Sequence, residues 1–176
     1  MTDYRRIHVP GACWFFTVAL ATRRGNDRLV ASISLLREAF AFVRRTRPFA
    51  IDAIVVLPEH LHCVWTLPTD DSDYSTRWRL LKSHFSRALP ATEYIPHNRA
   101  RRGERSIWQR RFWAHLIVDE ADFAAHIDYI HWNPVKHGYV ERAADWEFSS
   151  FRRFVARGIY PLDWGVARDF DFDAGE

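Results

Sequence analysis

The sequence contains only two cysteines, Cys13 and Cys63, among 176 residues, too few to hold a domain of this size together by disulfides. It also lacks an apolar run long enough to cross a bilayer. Its first residues do not follow the charged, apolar and small-residue order of a secretion signal. These absences argue against a disulfide-rich secreted scaffold and a membrane-spanning protein, so we expect a cytoplasmic protein with free thiols.

Lysine is scarce as well: Lys82 and Lys136 are the only two, and arginine supplies the other 23 of the 25 basic residues. The pI is about 9.1. Because the planar guanidinium donates paired hydrogen bonds to phosphate and stacks on bases, this composition favours a nucleic-acid partner. A GC-rich genome, which favours arginine codons, would produce the same bias, and composition alone does not separate the two explanations.

Hydrophobic residues make up 48% of the chain, enough to build a core and to exclude a disordered protein. Alternating and three-to-four-residue apolar spacings predict strands at 12–20, 49–58, 60–68 and 107–119 and helices at 31–47, 76–89 and 120–133. Ser75 is the predicted N-cap of the second helix, and Pro134 is predicted to end the third.

The resulting order is β-α-β-β-α-β-α. It predicts an α+β fold, the ferredoxin-like split β-α-β arrangement, with a central antiparallel sheet and helices mainly on one face. The segments show no internal repeat and no low-complexity linker. We expect a single domain over residues 1–176 with a C-terminal tail from about residue 145.

Two histidines, His60 and His62, stand in the third predicted strand. Residues two apart in a strand point to the same face, so the two imidazoles lie side by side and form two ligands of a divalent metal site. Two polar histidines on a half-exposed strand remain the alternative. A four-ligand structural zinc site, a nucleobase deaminase and a histidine-triad hydrolase are excluded, because the further cysteines, glutamate or third histidine that they need are missing.

The third predicted helix contains a second set of polar residues, in the segment HIDYIHWNPVKHG. Tyr129 and Asn133 are four residues apart and so share one helix face. A tyrosine can be a covalent nucleophile, and a cation beside the reacting phosphate would help it at neutral pH. Tyr129 packing in the core and Asn133 simply ending the helix are the alternatives.

Three segments in this order, PEHLHCVWTLP, WQRRFWAHLI and HIDYIHWNPVKHGYV, resemble the REP-associated tyrosine transposases, a branch of the HUH single-strand transposase superfamily. The start, YRRIHVPGACWFFTV, and the later DWEFSSFRRFVARGIYPLDW are similar to that family too. The resemblance therefore extends over nearly the whole chain.

The resemblance implies a metal-dependent enzyme that cleaves and rejoins single-stranded DNA at hairpin-forming extragenic palindromes. Tyr129, on a C-terminal helix, would be the nucleophile that forms a 5′-phosphotyrosine. His60 and His62 would bind Mg²⁺ or Mn²⁺, with Asn133 as third ligand in the place of the superfamily's glutamine, and His126 as the other candidate. A non-catalytic hairpin-binding regulator derived from a transposase is the alternative function.

Basic residues with interleaved aromatic rings are typical of grooves that hold single strands. Six arginine contacts to phosphate would give a salt dependence of about 4 powers, at about 0.7 per contact. We expect a nucleoid-associated monomer, although the sequence leaves a dimer open. The predicted DNA-binding residues are Arg5, Arg6, Lys82, Arg99, Arg101, Arg102, Arg105, Trp108, Arg110 and Arg111.

Overall fold

The computed structural model describes residues 8–95, 97–101 and 105–166, and of residues 98 and 99 only the backbone. Its strands are β1 (Cys13–Ala19), β2 (Ala50–Val56), β3 (His60–Thr66) and β4 (Trp113–Leu116). Its helices are α1 (Arg28–Ala31), α2 (Ile33–Thr46), α3 (Tyr74–Ala88), α4 (His97–Ala100), α5 (Glu120–Lys136) and α6 (Phe151–Ala156), and a 3₁₀ turn spans Ala143–Asp145. Within those described ranges, no helix is long and apolar enough to cross a membrane.

The four strands form one antiparallel sheet in the order β2-β3-β1-β4. This order confirms the predicted α+β, ferredoxin-like arrangement, because β1 and β2 are separated by β3 as a split β-α-β unit requires. The register pairs Thr17 of β1 with His62 and Ala19 with His60. Both histidines therefore lie on a strand that has a neighbour on each side.

One face of the sheet is covered by α2 and α3. Leu61, Cys63 and Trp65 of β3 point to this face, and the Trp65 ring stacks on Trp78 of α3 with their centroids 4.2 Å apart. The burial of these side chains supplies the main hydrophobic core. The predicted packing of helices on one face holds for α2 and α3.

The opposite face is covered by α5. Ile127 and Ile130 of α5 pack with Phe15 of β1 and Val64 of β3 in a second core cluster, together with Tyr129. Since side chains alternate along a strand, His60 and His62 point to the same face as Val64. The helix that contains Tyr129 therefore packs directly on the face that carries the two histidines.

The prediction that α5 ends before Pro134 is wrong, because the helix continues to Lys136 with Pro134 inside it. A proline cannot donate the usual backbone hydrogen bond, but the following turn is kept by the His137 N–H, which donates to the Asn133 carbonyl at 3.0 Å. The burial of Val135 also holds the turn. The helix ends where Gly138 takes a φ of 71°, a conformation that glycine adopts without strain.

Two other local predictions also need correction. The N-cap of α3 is Asp73, whose carboxylate accepts the Thr76 N–H at 2.9 Å, so Ser75 lies inside the helix. The fourth strand covers only Trp113–Leu116. Before it, Trp108 forms only an isolated β-bridge with Leu20, so the first part of the predicted strand is not paired as a strand.

Candidate active site

His60 and His62 lie side by side in the middle of the molecule. Their ring centroids are 4.9 Å apart, and each residue is only 1% exposed. Such burial lowers the pKa of both imidazoles, and the Glu59 carboxylate, which acts in the opposite direction at His60, does not reverse the effect. Both rings are therefore neutral at pH 7, the form in which an imidazole binds a metal.

The Nδ1 atoms of both rings are held by neighbouring oxygens. His60 Nδ1 donates to Glu59 Oε1 at 2.9 Å, and His62 Nδ1 lies 2.8 Å from Thr17 Oγ1. In the described part of the chain, Nε2 of each ring is buried without a hydrogen-bond partner. A metal-binding histidine commonly has its other nitrogen fixed in this way, so the arrangement presents two oriented Nε2 lone pairs.

Three residues at four-residue spacing along the chain, two in α5 and one at its C-cap, stand near this pair. The Tyr129 ring centroid is 5.2 Å from that of His62, and the His137 centroid is 5.3 Å from that of His60. Asn133 lies one turn from each and is fully buried. Residues four apart share a helix face, so Asn133 lies on the same face of α5 as Tyr129.

The Asn133 amide is the most informative group of the site. Neither its oxygen nor its nitrogen has a hydrogen-bond partner among the described residues. A buried amide without a partner costs roughly 1 to 3 kcal/mol, a cost that a ligand bound by Asn133 would offset. One amide oxygen and two Nε2 atoms, all buried and all without a partner, fit a divalent cation, which leaves the sequence-based assignment consistent with the geometry.

His137 was not among the predicted site residues, although it stands at the next four-residue step after Tyr129 and Asn133. The predicted end of the helix at Pro134 concealed that relation. Glu59 and Thr17 were also missed as the groups that orient His60 and His62. For Thr17 the decisive information is the pairing of β1 with β3, which spacing along the chain does not reveal.

The Tyr129 ring is enclosed on two further sides. Lys136 Nζ lies 5.0 Å from its centroid, and the Phe15 ring meets it edge-on at 6.0 Å. The ammonium group therefore lies against the face of the ring, where a cation is attracted to the π electrons. Tyr129 is only 3% exposed, so the phenol is held in one orientation beside His62.

His126 does not join this site. It belongs to a separate group with His115 and Asp122, and the Phe15 ring lies between that group and His62, with centroid distances of 4.6 Å to His126 and 5.5 Å to His62. The ligand atoms of His115, Asp122 and His126 all lie within 4.8 Å of one another, close enough to hold a metal ion. His131 points away from both groups, and its Nε2 lies 2.9 Å from Ser150 Oγ.

The predicted DNA-binding residues fall into different environments. Arg101, Arg110 and Arg111 are exposed. Lys82 donates to the Gln109 carbonyl at 3.0 Å and lies over the Phe112 ring. Arg5, Arg6 and Arg102 lie outside the described residues, as does the side chain of Arg99.

Two of these predicted residues are part of the internal structure. Arg105 donates to the Glu93 carboxylate, with one contact of 2.8 Å, to the carbonyl of Ser86 in the last turn of α3, and to the carbonyls of Leu89 and Pro90 just after it. Trp108 is 8% exposed and packs against Phe85 with the ring centroids 5.4 Å apart. By contrast, Trp113 of the edge strand β4 is 47% exposed, so it is the ring in this segment that a base can reach.

Comparison with known proteins identifies the family. No family model matches the sequence. The REP-associated tyrosine transposase of Escherichia coli is 49% identical over 177 residues, which cover 100% of this chain and 98% of that protein. This chain belongs to the REP-associated tyrosine transposases. A relative of this transposase from Haemophilus influenzae is 45% identical over 166 residues, 94% of each chain.

The fold of this transposase agrees with a solved relative. The structure of a REP-associated tyrosine transposase bound to a REP hairpin matches it with a TM-score of 0.81 and 48% identity, over 100% of this chain and 98% of the other. The resemblance predicted from the sequence motifs is thus confirmed at the level of family and fold. The roles of Tyr129, His60, His62 and Asn133 in this transposase remain predictions that rest on the geometry above.

Proposed function

We propose that this transposase cleaves and rejoins single-stranded DNA beside hairpin-forming palindromes, with Tyr129 as nucleophile. The hydroxyl oxygen of Tyr129 attacks a backbone phosphorus, and the bond from that phosphorus to the 3′ oxygen breaks. The phosphate stays on the 5′ end of the downstream fragment, which is now joined to the tyrosine as a 5′-phosphotyrosine. The 3′ oxygen of the upstream fragment takes up a proton. The phenolic proton passes to water. One phosphodiester replaces another, so the strand can be rejoined without an external energy source.

The observation that supports this proposal best is the position of Tyr129 over His62, beside buried histidine nitrogens that have no partner in the described structure. A tyrosine that served only to fill the core would not need two oriented imidazoles and an unpaired amide next to it. Such polar groups are costly to bury unless they meet a ligand. The cost is explained if the three groups bind a cation next to the phosphate.

His60, His62 and Asn133 would hold that cation, Mg²⁺ or Mn²⁺, through two imidazole nitrogens and one amide oxygen. When bound, it would neutralise charge on the phosphate and orient the scissile bond. Thr17 and Glu59 fix the direction of the two imidazoles through their Nδ1 atoms. Lys136 adds a positive charge beside the Tyr129 ring, where a phosphate oxygen would also be attracted to it.

The DNA contacts would come from exposed residues near β4. Arg101, Arg110 and Arg111 are exposed and would contact phosphates, and Trp113 would offer a ring for base stacking. Trp113 also packs against Phe15 with the ring centroids 5.5 Å apart. A base on Trp113 would therefore lie close to the face on which Tyr129 is held. A hairpin as DNA partner is supported by the solved relative, which is bound to a REP hairpin.

The test is a denaturing gel of the protein mixed with labelled hairpin DNA that carries a single-stranded flank, with Mn²⁺ or Mg²⁺ present. The label lies on the 3′ side of the cleaved bond, because that fragment stays attached to the tyrosine. The wild type should give a labelled adduct of protein size, which should disappear in Tyr129→Phe and His62→Ala. Tyr94→Phe and His84→Gln are the matched controls, since Tyr94 is 86% exposed and His84 stacks on Phe42 away from the site. Both controls should keep the adduct.

Two outcomes would contradict the proposal. An adduct that survives Tyr129→Phe would place the nucleophile elsewhere. Tight binding of the hairpin without any adduct, in the wild type and with either metal, would instead favour the non-catalytic hairpin-binding regulator. Circular dichroism of each variant would verify that a lost adduct does not reflect a lost fold.

A further inference from the structure

A second group of potential metal ligands joins β4 to the first turns of α5. His115 comes from β4, and Asp122 and His126 stand four residues apart on α5. His115 Nε2 lies 2.9 Å from Asp122 Oδ2, and His126 Nδ1 lies 2.9 Å from Asp122 Oδ1. The two imidazole rings stack with their centroids 4.6 Å apart and an angle of 20° between their planes. We call these three residues the edge cluster.

The edge cluster is separate from the Tyr129 site. The Phe15 ring lies between His126 and His62 and is in contact with both, so the space between the two groups is filled by an apolar side chain. The Tyr129 site is buried, whereas the side chains of His115, Asp122 and His126 are 35%, 17% and 15% exposed. An ion could therefore reach the edge cluster from solvent without opening the core.

We propose that the edge cluster is a second metal site, which binds Zn²⁺ or a similar transition-metal ion through His115, Asp122 and His126. Two imidazoles and one carboxylate are a ligand set typical of such ions. Mg²⁺ and Ca²⁺ prefer ligand sets made of oxygen atoms. The partial exposure leaves room for water as the fourth ligand.

The distances within the edge cluster suit this assignment. All three ligand atoms lie within 4.8 Å of one another. Ligands about 2.0 to 2.2 Å from a tetrahedral zinc ion are separated by roughly 3.3 to 3.6 Å, so small side-chain rotations would suffice. The Asp122 carboxylate already contacts both rings.

The Asp122 carboxylate is also held by groups outside the three ligands. It accepts the Val118 N–H at 3.0 Å, while the Asp122 N–H donates to Asp119 Oδ1 at 2.8 Å as part of the N-cap of α5. Oriented ligands of this kind lose less entropy when an ion binds. A metal at this position would fasten the edge strand to the beginning of the helix that contains Tyr129.

The proposal is tested by metal binding to the full chain, stripped with EDTA and titrated with Zn²⁺ against a chromophoric chelator. His115→Gln and His126→Gln should each weaken binding at the edge cluster at least about 100-fold, because even the loss of groups that only orient a ligand costs 10- to 100-fold. His84→Gln is the matched control. The double variant His60→Gln/His62→Gln removes the other candidate site and should keep one tight equivalent of Zn²⁺.

Thermal unfolding supplies a second measurement that needs no DNA and no activity. An ion bound only to the folded state raises the melting temperature. The rise caused by Zn²⁺ should remain in His60→Gln/His62→Gln and should vanish when His115→Gln is added. Zinc binding or stabilisation that is the same with and without His115→Gln and His126→Gln would overturn the proposal. Because both assays omit DNA, failure here would leave the Tyr129 chemistry untouched.

Discussion

Acid should destabilise this protein through His131. The ring is fully buried in α5, packs against Phe154 and Tyr160, and has its Nε2 2.9 Å from Ser150 Oγ. Burial lowers the pKa of this imidazole to about 3, with the positive charge of Arg153 acting in the same direction. The folded protein therefore keeps His131 neutral at pH values where an unfolded chain would protonate it.

The sign and size of the effect follow from the two pKa values. In the unfolded chain a histidine titrates near 6.5, so below this pH the unfolded state binds the proton and the folded state does not. Stability is fully present above about pH 6.5 and is lost as the pH falls towards the folded pKa of about 3. Between pH 7 and pH 5 the loss should be about 2 kcal/mol, since each pKa unit corresponds to about 1.4 kcal/mol.

The assay is urea unfolding of the wild type and His131→Phe at pH 7 and pH 5. Phenylalanine suits the aromatic surroundings and does not titrate, and Ser150 Oγ still accepts the Ile54 N–H at 2.9 Å. The variant should be less stable at pH 7, but the gap to the wild type should narrow by about 2 kcal/mol at pH 5.

His60 and His62 are unchanged in this pair of proteins, so their own titration cancels in the difference. His131→Asn, which also cannot titrate in this range, serves as a second variant if phenylalanine does not fit. His84→Gln should keep the full pH dependence of the wild type. A gap between wild type and both His131 variants that is the same at the two pH values would refute the reasoning.

Three further results are expected. Mn²⁺ should support adduct formation at lower concentration than Mg²⁺, because imidazole nitrogens are poor ligands for Mg²⁺; equal requirements would argue against two histidine ligands. Arg110→Gln/Arg111→Gln should reduce the salt slope of hairpin binding by about 1.4, at about 0.7 per lost phosphate contact, whereas Arg37→Gln on α2 should leave it unchanged. Trp113→Ala should weaken single-strand binding by about 1 to 3 kcal/mol with little change in stability, while Trp108→Ala should destabilise the fold by about 3 kcal/mol.

The fold could be predicted from the sequence to a large extent because its strands and helices have clear hydrophobic periods. The alternation along β3 placed His60 and His62 on one face and Cys63 on the other, and the structure has this arrangement. The spacing of Tyr129 and Asn133 likewise corresponds to one face of α5. Local period and strand geometry are sufficient for these relations, since they depend on residues close together in the chain.

The parts that could not be predicted depend on contacts between distant segments. Arg105 and Trp108 belong to a segment whose composition is typical of a nucleic-acid groove, yet both are held by residues at the end of α3. The composition of such a segment does not show which of its residues are buried. Pro134 is disfavoured within a helix by its local chemistry, but the packing of Val135 and the glycine after the helix override that preference.

The continuation of α5 past Pro134 has a consequence for the site as a whole. From Tyr129 to His137 the helix advances about 12 Å, at about 1.5 Å per residue, whereas His60 and His62 are about 7 Å apart along their strand. Because Tyr129 lies over His62 and His137 over His60, the helix runs opposite to β3 at this point. Asn133 is then halfway between Tyr129 and His137 along the same face. A helix that stopped at Asn133 would move His137 away from His60 and leave Asn133 at a frayed end, so the turn that contains Pro134 holds both residues in place.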